Sequence, residues 1–480
     1  MSQAPSRTVV VLAAGEGKRM KSATPKMLQP LLGRTLLGHV LAVAPAIGAD
    51  RTVVVVGHKA DEIGAFVAEV APGATPVLQA EQNGTGHAVR IALDATPDLT
   101  GTVVVLSGDV PLLRAETVEA LLATHEKAGA AATVLSAEVD VPGGLGRIIR
   151  GADGNLERIV EAKDASDEQR RIREINSGIY VFDAALLREA LGKLSTDNAQ
   201  GEEYLTDVFG ILASQGHPVA IEVAEFAYET LGCNDRAELA KLRVLMRDRV
   251  NEAWMRAGVL LLDPATTWID VTATLEPDAV VDQNSQILGT SSVATGAVIG
   301  PDTTLIDTAV AEGATVLRTH SIGALVGPQA TVGPFSYLRP GTKLGRKSKI
   351  GGFVEAKNAE LGDGAKVPHL TYVGDATIGA KANIGAGTIF ANYDGVKKHH
   401  TTVGEAAFVG SDSVLIAPVE IGPGAYVAAG SAVQKNVGAG ELGVSRAQQR
   451  NIEGWVARKR PGTASAEAAS KAANITPEQE

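Results

Sequence analysis

Two loops of the sequence carry residue types that suit the binding of a phosphate chain. The first is LAAGEGKRM (12–20), with Pro25-Lys26 shortly after it, and the second is SGDVP (107–111). Glycines that directly follow a strand let backbone N–H groups approach an anion, and Arg19 and Lys26 add positive charge. The carboxylate of Asp109 suits a Mg²⁺ ion whose other ligands come from phosphates. Taken singly, either loop could also be an ordinary strand-end turn, with the aspartate serving as a helix cap.

Short β-branched runs precede these loops and recur along the first half of the chain. They lie at 8–14, 51–57 and 102–109, and segments of helical periodicity such as 35–47 and 114–125 follow them. This alternation predicts a parallel, doubly wound α/β sheet of Rossmann-like type, in which ligands bind at the carboxyl ends of the strands. The first loop is neither the dinucleotide fingerprint nor a P-loop, because it lacks the third glycine and the Gly-Lys-Ser/Thr ending.

Composition excludes several classes of protein. The 480 residues are 45% hydrophobic and 21% charged, which fits two to four globular domains and neither a disordered nor a membrane-spanning chain. A net charge of −11 and only 4% aromatic residues argue against nucleic acid as a partner. The single cysteine, Cys233, cannot form an internal disulfide or a zinc cluster, and we interpret it as a small buried apolar side chain. The start of the sequence shows neither a signal peptide nor a membrane anchor, so a cytoplasmic location is predicted.

An amphipathic segment separates two unlike halves of the chain. Apolar residues recur at intervals of three and four over residues 235–258, namely Leu239, Leu242, Met246, Val250 and Trp254. This spacing predicts one long helix that packs as a connector and ends near Gly258.

The second half of the chain is a hexapeptide repeat. An aliphatic or aromatic residue recurs at every sixth position with occasional slips: Leu275, Val281, Ile287, Val293, Ile299, Leu305; Val310, Val316, Ile322; Val326, Val332, Leu338, Leu344, Ile350; Leu361, Val367, Val373; Ile378, Ile384, Phe390; and Val403, Val409, Leu415, Ile421, Val427, Val433. Three hexapeptides per coil, with these side chains inside, predict a left-handed parallel β-helix of about nine coils over 275–435. The repeat breaks at 391–402, where we expect a projecting loop.

A β-helix alone does not specify a reaction, because such repeats also serve as structural or assembly modules. Polar residues that could do chemistry are crowded into one stretch of it, and His369 is the only histidine of that group within the regular repeat. An imidazole there could act as a general base towards an amine. A lone histidine is more often a hydrogen-bonded structural residue, so the pattern by itself leaves both interpretations open.

Further motifs in the first half occur in order over more than 200 residues. They are QAEQxGTGH (79–87), GRI (146–148), IVExKD (159–164), EINxG (174–178) and GxN (232–234). With the two phosphate loops, this series resembles the sugar-1-phosphate nucleotidyltransferases. Within them it is similar to the uridylyltransferase half of the bifunctional bacterial N-acetylglucosamine-1-phosphate uridylyltransferases/glucosamine-1-phosphate N-acetyltransferases.

The resemblance implies roles for particular residues of the first half. The uridine nucleotide would be held by Leu12, Ala13, Ala14, Gly15, Gln79, Gly84 and Thr85, with Arg19 and Lys26 at its phosphates. The sugar phosphate would be held by Gly146, Glu161, Asn176 and Asn234, and Mg²⁺ by Asp109 and Asn234. One departure is visible, since Lys18 stands where the family commonly has a small hydroxyl residue.

The β-helix carries a second series of motifs that resembles the acetyltransferase half of the same family. The series is RPG (339–341), GFVExK (352–357), HLTYxGDA (369–376), NIGAGT (383–388) and NYDG (392–395). It implies His369 as general base, with Arg339, Lys357, Tyr372 and Asn383 around glucosamine-1-phosphate. Acetyl-CoA would lie along Ala386, Asn392, Tyr393, Ser411, Ala429 and Arg446. Such acyltransferases are trimers, so a homotrimer is implied as well.

The sequence thus predicts a two-site enzyme that uses acetyl-CoA, UTP and Mg²⁺ to make UDP-N-acetylglucosamine from glucosamine-1-phosphate by way of N-acetylglucosamine-1-phosphate. The predicted domains are a uridylyltransferase (1–234), a helical linker (235–258), a β-helix acetyltransferase (259–455) and a disordered tail (456–480). Two alternatives remain: a single-activity nucleotidyltransferase with a structural β-helix, and a noncatalytic β-helical scaffold. The adjacent His399 and His400 are interpreted as solvated loop residues, or at most as neighbours of the CoA phosphates.

Overall fold

The computed structural model describes residues 6–473. The chain forms two compact units that meet in sequence between Pro340 and Gly341. This division falls within the predicted β-helix rather than at residues 234 or 258, because the first coils pack on the α/β part: the Val271 amide donates to Leu32 O at 3.1 Å. The predicted domain boundaries stay predictions.

A nine-stranded sheet forms the centre of the α/β part. Arg7–Ala13 pairs in parallel with Arg51–Val56 on one side and Thr102–Ser107 on the other, as predicted. The sheet is nevertheless mixed, because Glu174–Asp183 runs antiparallel to its neighbours. The segment that leads into this strand holds a hairpin in place of a crossover helix, so the chain returns in the opposite direction. In spatial order the strands are Val219–Val223, Ala132–Glu138, Glu174–Asp183, Thr102–Ser107, Arg7–Ala13, Arg51–Val56 and Ala74–Leu78, with the hairpin Arg147–Arg150 and Leu156–Val160 beside Glu174–Asp183.

Helices cover both faces of this sheet. The predicted helix over 35–47 is two short helices, Leu36–Leu41 and Val43–Ala46. Pro45 explains the break, since its ring lacks an N–H and would clash with the carbonyl of Leu41 in a continuous helix. The other helices are Ala60–Val70, Thr85–Asp94, Ala115–Ala128, Ala184–Leu191 and Asp207–Ser214; 3₁₀ turns lie at Lys18–Met20, Lys26–Leu28, Gln169–Arg171 and Ala227–Thr230, and a small hairpin joins Pro30–Leu31 to Arg34–Thr35.

The predicted connector is one helix, Arg236–Arg256, whose first amides are capped by the Asp235 carboxylate. Leu239, Leu242 and Met246 lie in an apolar cluster with Met20 and Cys233. Cys233 is fully buried as predicted, and burial raises the pKa of its thiol to about 12. Gly258 follows the helix with a φ of +97°, the left-handed conformation that favours glycine.

A buried carboxylate links the segment that follows strand Thr102–Ser107 to the segment that precedes the connector. Glu229 is fully buried and accepts hydrogen bonds from Arg114 Nε at 2.5 Å and from the Thr117 hydroxyl. From the connector, Arg249 donates to Leu112 O at 2.7 Å. We call these five residues the Glu229 clamp. It fixes two loops that the folding of the sheet alone would leave independent.

In the first unit, coils of the β-helix pair in parallel with the next coil along the chain. Val281 pairs with Ile299 three hexapeptides later, and the predicted slip appears where Ile299 pairs with Val316. Ile322 was wrongly predicted to point inward. Ser321 occupies that position beside Leu305 and is fully buried. The strands are Leu260–Leu261, Trp268–Ile269, Thr274–Leu275, Val280–Val281, Gln286–Leu288, Ser292–Val293, Val298–Ile299, Thr304–Ile306, Ala309–Val310, Thr315–Val316, Thr319–Ile322, Leu325–Val326, Thr331–Val332 and Ser336–Leu338.

The second unit continues as a parallel β-helix, and its predicted inward residues from Leu344 to Val433 are all buried. Ile384 pairs with Val409, and the extra chain between them forms the predicted loop. The strands are Lys343–Leu344, Lys349–Gly352, Glu355–Leu361, Lys366–His369, Tyr372–Ile378, Asn383–Ile384, Ile389–Ala391, Thr401–Val403, Phe408–Val409, Val414–Ile416, Val419–Ile421, Tyr426–Val427, Ala432–Val433 and Leu442–Gly443. The segment predicted to be disordered, 456–480, contains helix Ala464–Ala473 and all but the first residue of helix Trp455–Lys459. Its last residues, 474–480, lie outside the described residues.

Candidate active sites

Three residues far apart in sequence meet at the carboxyl edge of the α/β sheet. The Lys26 ammonium lies 2.5 Å from Asp109 Oδ2 and 3.4 Å from Asn234 Oδ1. Only 11% of the Lys26 side chain and 19% of the Asp109 side chain are exposed, so solvent screens this pair little. A carboxylate oxygen and an amide oxygen therefore converge on one positive charge.

The backbone of the two phosphate loops sets this geometry. The Gly108 amide donates to Leu12 O at 2.9 Å, and the Cys233 amide donates to Asp109 O at 3.1 Å. Arg19 stands exposed on the 3₁₀ turn Lys18–Met20. Lys18, the residue that departs from the family pattern, forms an exposed ion pair with Glu16 at 3.0 Å. The loop therefore presents a guanidinium to solvent, while Lys18 is turned to its own neighbour.

Three of the predicted nucleotide residues, Gln79, Gly84 and Thr85, lie between strand Ala74–Leu78 and the start of helix Thr85–Asp94, at the same edge of the sheet. The other four, 12–15, lie at the end of strand Arg7–Ala13 and in the first phosphate loop. Gln79 is buried, and its Nε2 donates to Gly84 O at 3.1 Å. Gly84 has a φ of +109°, and a Cβ there would lie 2.4 Å from Glu203 O, so only glycine fits. Gln82, which the sequence analysis did not single out, donates to Ala14 O at 2.8 Å and ties this loop to the first one.

Three of the four predicted sugar-phosphate residues, Gly146, Glu161 and Asn176, form a second group on the sheet, whereas Asn234 lies with Lys26. The Asn176 amide donates to Gly146 O at 2.9 Å, and Asn176 Nδ2 donates to the buried Tyr180 hydroxyl at 2.8 Å. A Cβ at Gly146 would meet Asn176 Cβ at 3.2 Å and Glu161 Oε2 at 3.4 Å, so Glu161 borders the same space. The Asn176 side-chain amide and the Glu161 carboxylate therefore lie next to Gly146, which has no Cβ and so gives room for a ligand.

Burial raises the pKa of Glu161, which the hydrogen bond from the Thr206 hydroxyl opposes and the nearby negative charges of Asp207, Asp164 and Glu202 reinforce. The ionised form of Glu161 is therefore less stable, relative to its protonated form, in the folded chain than in the unfolded chain. A polar ligand that donates hydrogen bonds to it would recover part of that cost.

Glu161→Gln is expected to raise the melting temperature at neutral pH and to weaken binding of the sugar phosphate. Because the folded-state pKa is raised, ionisation of Glu161 destabilises the fold only above its ordinary pKa of 4.5. The stability difference from wild type should hence grow as pH rises from about 4 to 7. Thermal unfolding across that range tests it, with exposed Glu157→Gln, on the strand that ends just before Glu161, as control; equal melting temperatures at pH 7 would contradict the prediction.

In the second unit, three of the six predicted acetyl-CoA residues line one corner of the β-helix. Ile384, Val409 and Val427 pair in register on successive coils. Ala386, Ser411 and Ala429 each follow two residues later, so they stack in one column. His369 belongs to this column, because Lys366 pairs with Asn383 and the Gly387 amide donates to His369 O at 3.3 Å. The exposed His369 therefore lies next to Ala386.

A hydrogen-bonded group beside this column holds Tyr372 and Asn392. Asn392 Nδ2 donates to Asp375 Oδ2 at 2.5 Å and lies 3.4 Å from the Tyr372 hydroxyl. Burial alone would raise the pKa of Asp375, but hydrogen bonds from Asn358 and Asn392 and the charges of Lys398 and Lys357 lower it below its ordinary value. Asp375 is thus a carboxylate that orients Asn392, and the sequence analysis had not assigned it a role.

Gly374→Ala is expected to reduce acetyl transfer by about tenfold or more. A Cβ at Gly374 would lie 2.4 Å from the Tyr372 hydroxyl and 2.6 Å from Asn392 Nδ2, so both side chains must move. Steady-state acetyl transfer measures the effect, and Gly64→Ala, where a Cβ meets nothing within 4 Å, is the control. An unchanged rate in Gly374→Ala would show that the two side chains are not part of the site.

The remaining predicted residues have simpler surroundings. Arg339 belongs to the first unit and stacks on Tyr337, while Lys357 and Asn383 lie on strands of the second unit. Tyr393 is exposed in the projecting loop, and Arg446 is exposed after the last strand.

In the projecting loop, His399 Nε2 lies 2.7 Å from Asp394 Oδ2, and His400 Nε2 lies 3.0 Å from the Thr377 hydroxyl. The two histidines therefore have separate partners.

Two kinds of feature are absent from the described part of the chain. Residues 6–473 contain no group of three or more His, Cys, Asp or Glu side chains placed to hold a metal ion. Over the same residues, no helix has the length and apolar character needed to cross a bilayer.

The mixed sheet and its strand-end site define the class of the first half. Residues 9–251 match the family described as MobA-like NTP transferase domain. A solved UDP-glucose pyrophosphorylase complexed with UDP-glucose aligns with 51% of the chain and 99% of its own chain, at 16% identity and a TM-score of 0.43.

Curated relatives extend over both halves. Proteins named bifunctional protein GlmU are 57% identical in Streptomyces coelicolor, 56% in Streptomyces avermitilis and 52% in Corynebacterium efficiens. The first two alignments cover 98% of this chain and of the relative, and the third covers 99% of each. The chain belongs to the family of bifunctional GlmU proteins, and the predicted family is confirmed.

Proposed function

We propose that this chain catalyses two successive transfers at separate sites. The β-helix moves the acetyl group of acetyl-CoA to the amine of glucosamine-1-phosphate. The α/β domain then moves UMP from UTP to the resulting N-acetylglucosamine-1-phosphate and releases pyrophosphate. The observation that carries the proposal is the pair of constellations: Lys26 between Asp109 and Asn234, and His369 in the corner column of the β-helix.

Positioning and charge neutralisation account for the uridylyl transfer. The phosphate oxygen of the sugar attacks the α-phosphorus of UTP, and the bond to the pyrophosphate oxygen breaks. The exposed Arg19 guanidinium and the Lys26 ammonium stand where they would meet the phosphates that gain charge. Gly146, Glu161 and Asn176 would hold the sugar, and the loop of Gln79 and Gly84 the uridine.

The oxygen atoms at this site suit Mg²⁺, because a hard divalent cation prefers carboxylate and amide oxygens. Asp109 and Asn234 already turn their oxygens to one cation, the Lys26 ammonium. These two residues would hold the ion, which when bound supplies positive charge to the triphosphate. Lys26 would then be free to neutralise a phosphate.

General base catalysis accounts for the acetyl transfer. His369 would take the proton from the attacking amine, and the thiolate of CoA would leave from the acetyl carbon. The column of Ala386, Ser411 and Ala429 offers small side chains along which an extended cofactor could lie. Asn392, held by Asp375, and Tyr372, whose hydroxyl lies 3.4 Å from Asn392 Nδ2, would border the reacting groups.

A homotrimer and a cytoplasmic location belong to the same proposal. Family resemblance supports the trimer, and the cytoplasmic supply of UTP and acetyl-CoA fits the location. Sedimentation equilibrium of the full chain would test the assembly, with three times the chain mass expected.

Omission of one co-substrate at a time distinguishes the proposal from its alternatives. The purified chain is incubated with glucosamine-1-phosphate, acetyl-CoA, UTP and Mg²⁺ while free thiol and pyrophosphate are followed separately. Pyrophosphate should require acetyl-CoA unless N-acetylglucosamine-1-phosphate is supplied. Pyrophosphate from the pre-acetylated sugar without any thiol release would favour the single-activity alternative, and neither product would favour the noncatalytic scaffold.

A further inference from the structure

The first unit contains a cavity of about 1080 Å³ that shares no lining residue with the strand-end site. Its walls come from the small hairpin around Gly33, from helices Leu36–Leu41 and Ala60–Val70, from Arg243 of the connector, and from Asp270 and Leu288 in the first coils. A volume of this size is at the upper end of those that enclose cofactor-sized or drug-sized molecules. The cavity has no part in either proposed transfer.

One wall of the cavity is apolar. It is built by Leu41, Ala42, Pro45, Phe66 and Val70, and Val70 leaves 48% of its surface exposed there. Apolar surface of this kind is unfavourable in water, so a ligand with an aromatic or acyl body would gain free energy by covering it.

The acidic groups that line the cavity each accept one hydrogen bond from a backbone amide. Asp270 accepts a hydrogen bond from the Gly289 amide at 2.7 Å, and Asp50 accepts one from the Arg7 amide at 2.8 Å. Their negative charges are thus partly compensated by backbone dipoles.

The basic groups are less fully satisfied. Arg51 is held by both oxygens of Asp98 at 3.0 Å. Among the described residues, Arg243 donates only to Pro30 O, at 3.1 Å, and its charge also acts on the nearby Asp270. Within residues 6–473, Arg34 forms no side-chain hydrogen bond or ion pair. A guanidinium carries five N–H donors, so Arg34 and Arg243 keep donors for an anion.

From these walls we infer that the cavity binds an organic anion with a flat apolar body, such as an aryl carboxylate, sulfonate or phosphate. The apolar body would cover Phe66 and Val70, and the anionic group would face Arg34 and Arg243. The inference stands apart from the proposed function, because no residue of either transfer site takes part in it.

A fluorescent pair of probes tests the inference on the full chain. The anion 8-anilinonaphthalene-1-sulfonate is titrated in the presence of saturating UTP and acetyl-CoA, which occupy the proposed catalytic sites. N-phenyl-1-naphthylamine has the same aromatic body without the sulfonate and serves as the matched neutral probe. We expect one saturable sulfonate site per chain.

Two sets of variants separate the charge from the apolar wall. Arg34→Gln/Arg243→Gln should weaken the sulfonate by about tenfold and the neutral probe by less than about twofold. Ala42→Trp should weaken both probes by filling the cavity. Exposed Arg171→Gln, outside the cavity, is the control for a change of charge.

Melting temperatures within about 2 °C of wild type would show that the variants fold. Equal sulfonate affinity in wild type and the double arginine variant would overturn the inference. It would also be overturned by an equal loss of both probes in that variant, or by unchanged binding to Ala42→Trp.

Discussion

His369→Ala is expected to reduce acetyl transfer by about 100-fold or more and to leave uridylyl transfer within about twofold of wild type. His369 is the histidine of the corner column, next to Ala386 on the following coil. Without it the amine must lose its proton to water, which is a far weaker base at neutral pH. Release of CoA thiol measures the first activity, and pyrophosphate release from N-acetylglucosamine-1-phosphate measures the second.

A matched control comes from another exposed histidine on a β-helix strand. His320 stacks on Tyr337 and belongs to neither site, so His320→Ala should retain both rates. His369→Gln removes the base while keeping a polar side chain and should behave like alanine. Acetyl transfer near the wild-type rate in either His369 variant would remove His369 as the general base.

Asp109→Ala should produce the opposite pattern, with uridylyl transfer reduced by about 100-fold or more and acetyl transfer unchanged. The substitution removes one of the two oxygens that face Lys26 and leaves a poorly exposed ammonium without its carboxylate. It should lower the melting temperature too, because an unpaired buried charge is costly. Excess Mg²⁺ should fail to restore the rate.

Asp98→Ala is the matched control, since Asp98 is an exposed carboxylate in an ion pair with Arg51. It should leave both activities near wild type. Lys26→Met/Asp109→Ala removes both charges and should regain most of the lost stability without regaining activity. Loss of both activities in a folded Asp109→Ala chain would contradict separate sites.

Much of the fold could be predicted because apolar residues recur at the buried positions at regular intervals, and this periodicity is visible in the sequence. The inward positions of a coil must be apolar over many repeats, so the hexapeptide phase predicted nearly every inward residue. The error at Ile322 arose because Ser321 is a polar inward residue whose hydroxyl lies 3.0 Å from that of Thr308. A search for aliphatic residues cannot detect a buried serine that is satisfied by another hydroxyl.

The sites were predictable in their members and less so in their geometry. Lys26, Asp109 and Asn234 were each identified, but the pairing of strands distant in sequence sets their separations, and no local pattern encodes it. Gln82 and Asp375 act through other residues, so their types alone carry no signal of function. The break at Pro45 was not predicted, although a proline inside a helical pattern interrupts the helix and the sequence therefore contained the signal.

The Glu229 clamp holds the chain on both sides of the nucleotide-transfer site in the folded protein. Glu229 joins Arg114, shortly after Asp109, to the stretch that leads to Asn234, and Arg249 joins Leu112 to the connector that follows Asn234. The two proposed ligands of the metal ion are therefore brought together during folding, and an arriving substrate need not order either loop. Substrate binding at this site should therefore cost little chain entropy. In a Glu229→Gln chain the loops would be less ordered, so the substrate would have to order them and its affinity should fall mainly as the temperature rises.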